Sequence, residues 1–365
     1  MDVGIAAIFQ NPTATRTDHE VYKRELAMAE LAANQLGFDS IWGVEHHFTD
    51  YTMCPDVTQF LAYCAGRCPT AQIGSMVIVL PWHDPMRVAE EIAMLDNMSD
   101  GRFILGLGRG LGRIEFEGFG KDQNDSREFF VEAAEMIIKG LESGTCEYNG
   151  KHVKQLRRDI RPRPFKTFKG RTYAAAVSPE SFEIMARLGA GVLVIPQKPW
   201  ETTVKELAGY REFFQKQNGI PAPAPIIASW VICDEDAGRA EELARKYIGG
   251  YWRTVVQHYE MVGDHFSKLK GYETYREIQT RSSRPGGLDE MVEFFMGIQV
   301  WGTPAMCYDK IVNVLDKTHG GAFTGVFSYA GMPWEAAEGN LRLFAKQVLP
   351  ELKRLNKRPL LELAA

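Results

Sequence analysis

Residues 72–108, QIGSMVIVLPWHDPMRVAEEIAMLDNMSDGRFILGLG, decide the fold class. The runs 72–79 and 102–108 are near-continuously apolar, the pattern of parallel strands covered on both faces, and 84–99 between them reads as a helix. The same alternation extends outward in both directions. Further strand candidates are 3–9, 39–44, 171–177, 191–196, 226–232 and 322–329. Thr17 with Glu20 forms a candidate capping box, followed at 3.6 spacing by Tyr22, Leu26, Ala29, Ala33 and Leu36. A second stripe runs through Phe129, Phe130, Ala133, Met136, Ile137, Gly140 and Leu141, and helices also read at 179–189, 200–218 and 335–355. Eight strand–helix alternations without a composition break predict one α/β domain over 1–365. The expected architecture is a (β/α)₈ TIM barrel rather than two doubly wound halves.

The 365 residues exceed the roughly 250 of a minimal barrel, and the excess is assigned to insertions at 143–170 and 235–302. The first carries an Asn149-Gly150 hairpin signal. Its eight Lys/Arg between Lys151 and Lys169 read as a solvated loop rather than a polyanion site. The second lies between strand seven and a helix starting near Thr303. It holds Tyr251, Trp252, His258, Tyr259, His265, Phe266, Tyr272 and Tyr275, then Arg284-Pro285-Gly286-Gly287. Collectively these aromatics suit a lid over a flat organic substrate, although for any single one packing on the barrel wall is the commoner outcome.

Hydrophobic content of 45%, charged content of 24% and a net charge of −5 exclude disorder, collagen-like repeats and a nucleic-acid surface. The six cysteines form no CxxC pair, as suits reduced thiols of a cytosolic protein. Neither a basic leader nor a run near the roughly 20 apolar residues of a membrane span is present, so a cytoplasmic protein is expected.

Three sites carry candidate chemistry. Strand two leads into Glu45-His46-His47-Phe48. Neighbouring side chains on a strand point to opposite faces, and the chain contains no His-x-His, so no metal site is expected. One histidine facing the barrel mouth would serve as a base near neutral pH; a structural histidine is the alternative. Strand four ends in Gly106-Leu107-Gly108-Arg109-Gly110-Leu111-Gly112, where GxGxxG fails and RIEFEGFGKDQ shows no immediate helix. A flexible glycine loop with Arg109 projecting is the better reading than a dinucleotide fingerprint. Ser178-Pro179 after strand five opens a helix whose N-terminus suits a phosphate, with Arg109 and Arg127 supplying guanidinium groups.

At these residues the chain resembles the bacterial luciferase-like flavin-dependent monooxygenases, the luciferase α chain in particular. The resemblance lies in LGFDSIWGVEHHFTDY (36–51), VLPWHDPMRVAEEIAMLDNMSDGRF (79–103) and GRGLGRIEFEGFGKDQNDSR (108–127). WGTPAMCYDKI (301–311) and LRLFAKQVLPEL (341–352) match the wider family, and 235–302 is not covered. The resemblance implies reduced FMN at the C-terminal mouth of the barrel, with His46 catalytic and Glu45 near the flavin. It places Arg109, Leu111 and Arg127 in the phosphate loop, Val177, Ser178 and Ser181 at the helix N-terminus, and a non-proline cis peptide at Met76–Val77. Gly108 stands where luciferase α has a cysteine, which would admit closer ligand approach, and Val177 where it has a glutamate.

The implied activity is two-component: a separate reductase supplies FMNH₂, and a flavin 4a-(hydro)peroxide formed with O₂ inserts oxygen into a small organic substrate. Hydroxylation and Baeyer–Villiger oxidation both remain open. A homodimer through the helices near 55–67 and 84–99 is implied as well. Alternatives are a deazaflavin-dependent hydride-transfer enzyme of the same fold, against which His46-His47-Phe48 argues, and a non-catalytic flavin-binding subunit, against which His46, Arg109 and Arg127 argue.

Overall fold

A computed structural model describes residues 1–175 and 179–355. Eight parallel strands form the barrel: β1 Asp2–Ala7, β2 Ser40–Gly43, β3 Gln72–Ser75, β4 Phe103–Gly108, β5 Thr172–Ala175, β6 Gly191–Val194, β7 Ile226–Cys233 and β8 Ala322–Val326. Each pairs with its neighbour in sequence order, and β8 pairs with β1 to close the ring. Helices follow the strands as predicted, and all eight strand candidates are occupied. The 72–79 run is the one that splits. It becomes β3 and a short strand, Ile78–Val79, on either side of a cis Met76–Val77 peptide.

Side-chain volume explains how the strands fit. Trp42 of β2 faces Gly74 of β3 and Ala6 of β1 in register. A Cβ at Gly74 would lie 2.4 Å from the Trp42 ring, and one at Gly4 would lie 2.8 Å from its indole nitrogen. The two glycines leave room for one large residue, whose N–H reaches Ser40 Oγ at 2.9 Å. Outside the ring, the Thr17–Glu20 capping box is present and starts the helix Asp18–Asn34. Arg171, at the foot of β5, makes a buried bidentate pair with Asp96 of the helix Pro85–Met98, at 2.6 and 3.0 Å.

The first insertion is an antiparallel hairpin, Thr145–Asn149 with Lys154–Asp159. Its turn differs from the two-residue Asn-Gly expectation: Asn149 pairs with Lys154, so Gly150–Val153 form the loop. The reason is a carboxylate. Glu132 accepts the backbone N–H groups of Lys151, His152 and Val153, each at 2.8 Å, and so stabilises a longer turn. Lys154, Arg157 and Arg158 are exposed, in keeping with a solvated basic stretch. The expected helix 335–355 is two helices, Trp334–Gln347 and Leu349–Lys353. Pro350 lacks the N–H that continuation would require.

The second insertion is helical: Ala237–His258, Glu273–Ser282 and Gly287–Gly297, then a strand Val300–Gly302 beside β7. The helix Pro304–Thr318 follows, capped by Thr303. No helix among the described residues is long and apolar enough to cross a membrane.

Candidate active site

A cavity of about 170 Å³ is lined by Glu45, His46, Met76, Val77, Arg109, Leu111, Arg127 and Ser181, so residues expected from distant parts of the chain meet. The expectations at Val177 and Ser178 lie outside the described residues. Tyr259, Tyr272 and Tyr275 of the second insertion line the same cavity.

β2 ends at Gly43, so the Glu45–His47 segment has left the sheet; its two histidines diverge nonetheless. His46 Nδ1 lies 2.9 Å from Glu115 Oε1, while His47 Nε2 lies 3.1 Å from Glu45 Oε1. His47 also donates its backbone N–H to Glu115 Oε1 at 3.0 Å. Burial by itself would raise the Glu115 carboxyl, but the imidazoles of His46 and His258 outweigh burial and bring it down to about 2. An ionised carboxylate only accepts hydrogen bonds. His46 therefore carries a proton on Nδ1 and, when neutral, presents the lone pair of Nε2, which lies 3.2 Å from the Tyr259 hydroxyl.

Glu115, His258 and Tyr259 were not singled out as site residues from the sequence. Glu115 sits in a helix, Arg113–Gly118, where none was expected. The inward side of that helix is Glu115 and Phe116, and a buried carboxylate does not register as apolar periodicity. Gly112 is part of the arrangement: a Cβ there would lie 2.4 Å from Glu115 Oε2 and 3.2 Å from His258 Nε2. His46, Glu115 and His258 also bring their donor atoms within 4.8 Å of one another, a grouping that the comparison of His46 with His47 did not foresee.

The arginines of the cavity lining meet at one carbonyl. Arg109 Nη2 and Arg127 Nη2 both donate to the Gly271 carbonyl, at 3.0 and 3.1 Å, and Arg109 lies 4.0 Å over the Tyr272 ring. Arg109 Nη1 and Arg127 Nε are buried without a partner. Gln123 donates to the Leu111 carbonyl at 2.8 Å and steadies the loop, and Gly110 holds φ +81°. The space beside Gly108 is taken by protein rather than left open, since a Cβ there would meet Val77 Cγ2 at 2.2 Å.

The profile of the luciferase-like monooxygenases matches residues 1–318. The chain belongs to this family of flavin-dependent monooxygenases. It is 27% identical over 354 residues to the alkanal monooxygenase alpha chain of Photorhabdus luminescens, covering 94% of this chain and 95% of that one. Among solved structures it resembles monooxygenase RslO1 from Streptomyces bottropensis, with a TM-score of 0.78 at 24% identity over 96% of this chain and all of that one. The oxygenating constituent of 3,6-diketocamphane monooxygenase from Pseudomonas putida, solved with FMN, gives 0.74 at 17% over 98% and 100%. A coenzyme F420 dependent tetrahydromethanopterin reductase from Methanopyrus kandleri gives 0.64 at 19% over 96% and 99%. These structural likenesses establish the luciferase-like barrel.

Proposed function

We propose that the protein is a two-component monooxygenase. It binds reduced FMN delivered by a separate flavin reductase and inserts one atom of O₂ into a small organic substrate, by hydroxylation or Baeyer–Villiger oxidation. The observation that carries this reading is the pair of buried, unpartnered guanidinium nitrogens, Arg109 Nη1 and Arg127 Nε, on residues lining the His46 cavity. Buried donors without partners are costly, and a phosphate dianion would satisfy both arginines at once.

The residues present fit FMN. Arg109, Arg127 and Ser181 would hold its phosphate, and Met76, Val77 and Leu111 would line its ring. When bound, reduced FMN supplies the electrons that activate O₂. His46 takes up and returns a proton at Nε2, and the ionised Glu115 balances the charge when it does. Trp82, Tyr272 and Tyr275 line the cavity and limit access of water.

Anaerobic titration tests the cofactor: reduced FMN binds more tightly than oxidised FMN, and preference for coenzyme F420 would move the protein to deazaflavin chemistry. With a reductase and NADH, oxygen uptake rises above that of the reductase alone. No rise would favour a non-catalytic flavin-binding subunit. On the same reading the chain works in the cytoplasm, in keeping with six free, buried cysteines. It pairs with a second copy through Val57–Arg67 and Pro85–Met98, where Tyr63, Met94 and Met98 are 40%, 50% and 51% exposed. Sedimentation showing only monomer would remove the dimer.

A further inference from the structure

We propose that Tyr259 and His46 together read a hydroxyl group on the substrate, so that the site takes a flat organic molecule bearing a phenolic or enolic O–H. The proposal rests on the assignment of His46 above and adds the substrate class.

Tyr259 comes from the second insertion, at the C-terminal cap of the helix Ala237–His258. Glu260 and His258 hold that helix end in place. Glu260 forms a two-pronged ion pair with Arg113, its Oε2 2.7 Å from Arg113 Nε, which ties the helix to the segment bearing Glu115. His258 stacks on Tyr51 with ring centroids 4.5 Å apart, meets Thr49 Oγ1 at 2.9 Å, and lies 3.5 Å from Glu115 Oε1. Tyr51 is fixed in turn by a 2.6 Å hydroxyl contact with Tyr251. The Tyr259 ring is wedged edge-on against both Tyr51 and His46, with centroids at 5.5 and 5.8 Å.

The hydrogen-bonding sense of the pair follows. Burial pushes the Tyr259 phenol well above its ordinary value, so it stays protonated and donates. Neutral His46, with Nδ1–H committed to Glu115, can only accept at Nε2. A donor and an acceptor thus stand 3.2 Å apart on the cavity wall, bonded to each other. A substrate hydroxyl replaces that bond with two, donating to His46 Nε2 while accepting from Tyr259. An ether or a ketone can accept from Tyr259 but offers His46 nothing. In the reaction the O–H bond breaks, the proton passes to Nε2 and the electron pair stays on the substrate oxygen, making the attached ring or double bond electron-rich. Tyr272, Tyr275 and Trp82 supply the flat walls.

The test uses the full-length protein loaded with FMN and two probes, 2-naphthol and 2-methoxynaphthalene, compared by titration calorimetry. Wild type is expected to bind the naphthol about tenfold or more tightly than the ether. His46→Ala, which removes the acceptor that only the naphthol uses, brings the two together, while Tyr259→Phe weakens both probes. Bound naphthol should also show its long-wavelength naphtholate absorption, which His46→Asn abolishes. Equal binding of the two probes by wild type, a full preference retained in His46→Ala, or Tyr259→Phe binding both probes as wild type does, overturns the proposal. The wild-type ratio can overturn it alone should a variant not fold. Failure to bind FMN with the preference intact would instead remove the flavin reading and leave this one standing.

Discussion

Two buried glutamates stand at the mouth of the barrel, each flanked by histidines, and they differ in what remains unbonded. Glu45 has both oxygens engaged: Oε1 meets His47 Nε2 at 3.1 Å and His83 Nε2 at 2.6 Å, and Oε2 accepts the Val79 N–H at 2.9 Å. Glu115 has one oxygen crowded by His46 and His47 and the other, Oε2, buried without a partner. The Glu45 cluster ties the strand-two loop to the segment just after the cis peptide. Burial opposes a charged His83, yet its bond to Glu45 prevails and its pKa is raised. The Glu115 cluster keeps hydrogen-bonding capacity in reserve beside His46. A saturated carboxylate is an anchor, whereas one with a spare oxygen can respond when its neighbour changes protonation.

Substituting Glu115 should give the largest effect. Glu115→Gln removes the charge that balances a protonated His46, and turnover should fall by roughly 10²-fold or more with flavin affinity nearly unchanged. Steady-state oxygen uptake alongside reduced-FMN titration measures both. Turnover near wild type would erase the difference between the two glutamates. Next, Arg109→Ala should weaken reduced FMN about 10–100-fold and riboflavin far less, since only FMN carries the phosphate. Equal losses for the two ligands would place the phosphate elsewhere.

Glu45→Gln should act on stability, lowering it by about 1–3 kcal/mol in urea unfolding while turnover per folded molecule persists. If turnover collapsed without any loss of stability, Glu45 would belong to the chemistry rather than the scaffold. The smallest effect is in acid. The folded-state pKa of Glu115 is depressed from 4.5 to about 2. The stability it contributes is therefore fully present above pH 4.5 and lost as pH falls through about 2. His258 is also depressed, by burial first, and its contribution is complete above 6.5 and erodes on acidification. Melting temperature should fall less steeply between pH 4.5 and 3 in Glu115→Gln than in wild type. Parallel curves would show that the carboxylate is not ionised against its neighbours as the geometry implies.

The barrel was readable because each strand is a local apolar run and each helix a local period, so nearest-neighbour patterns in the chain carry the information. The glycine-rich loop was readable for the same reason, since Arg109 and Leu111 lie within one turn of the chain and both line the cavity. Only its detail changed: Gly108 makes room for Val77 rather than for a ligand. Glu115 was hidden because Arg113–Gly118 is short and its inward residue is charged. In sequence it looks like one more solvated acid between Ile114 and Phe116. The hairpin turn was misjudged for a related reason, as the lengthened loop depends on Glu132 from another element.

From the order of residues alone came the parallel barrel, its two insertions, and the family signature that placed His46, Arg109, Arg127 and the Met76–Val77 peptide at one end of it. Which groups face which across that end is a property of the folded molecule. His46 and Tyr259 are 213 residues apart in sequence yet 3.2 Å apart in space. No local pattern encodes that pairing. It arises where the insertion helix ends against the Glu115 segment, held by the Arg113–Glu260 ion pair and the stacking of His258 on Tyr51.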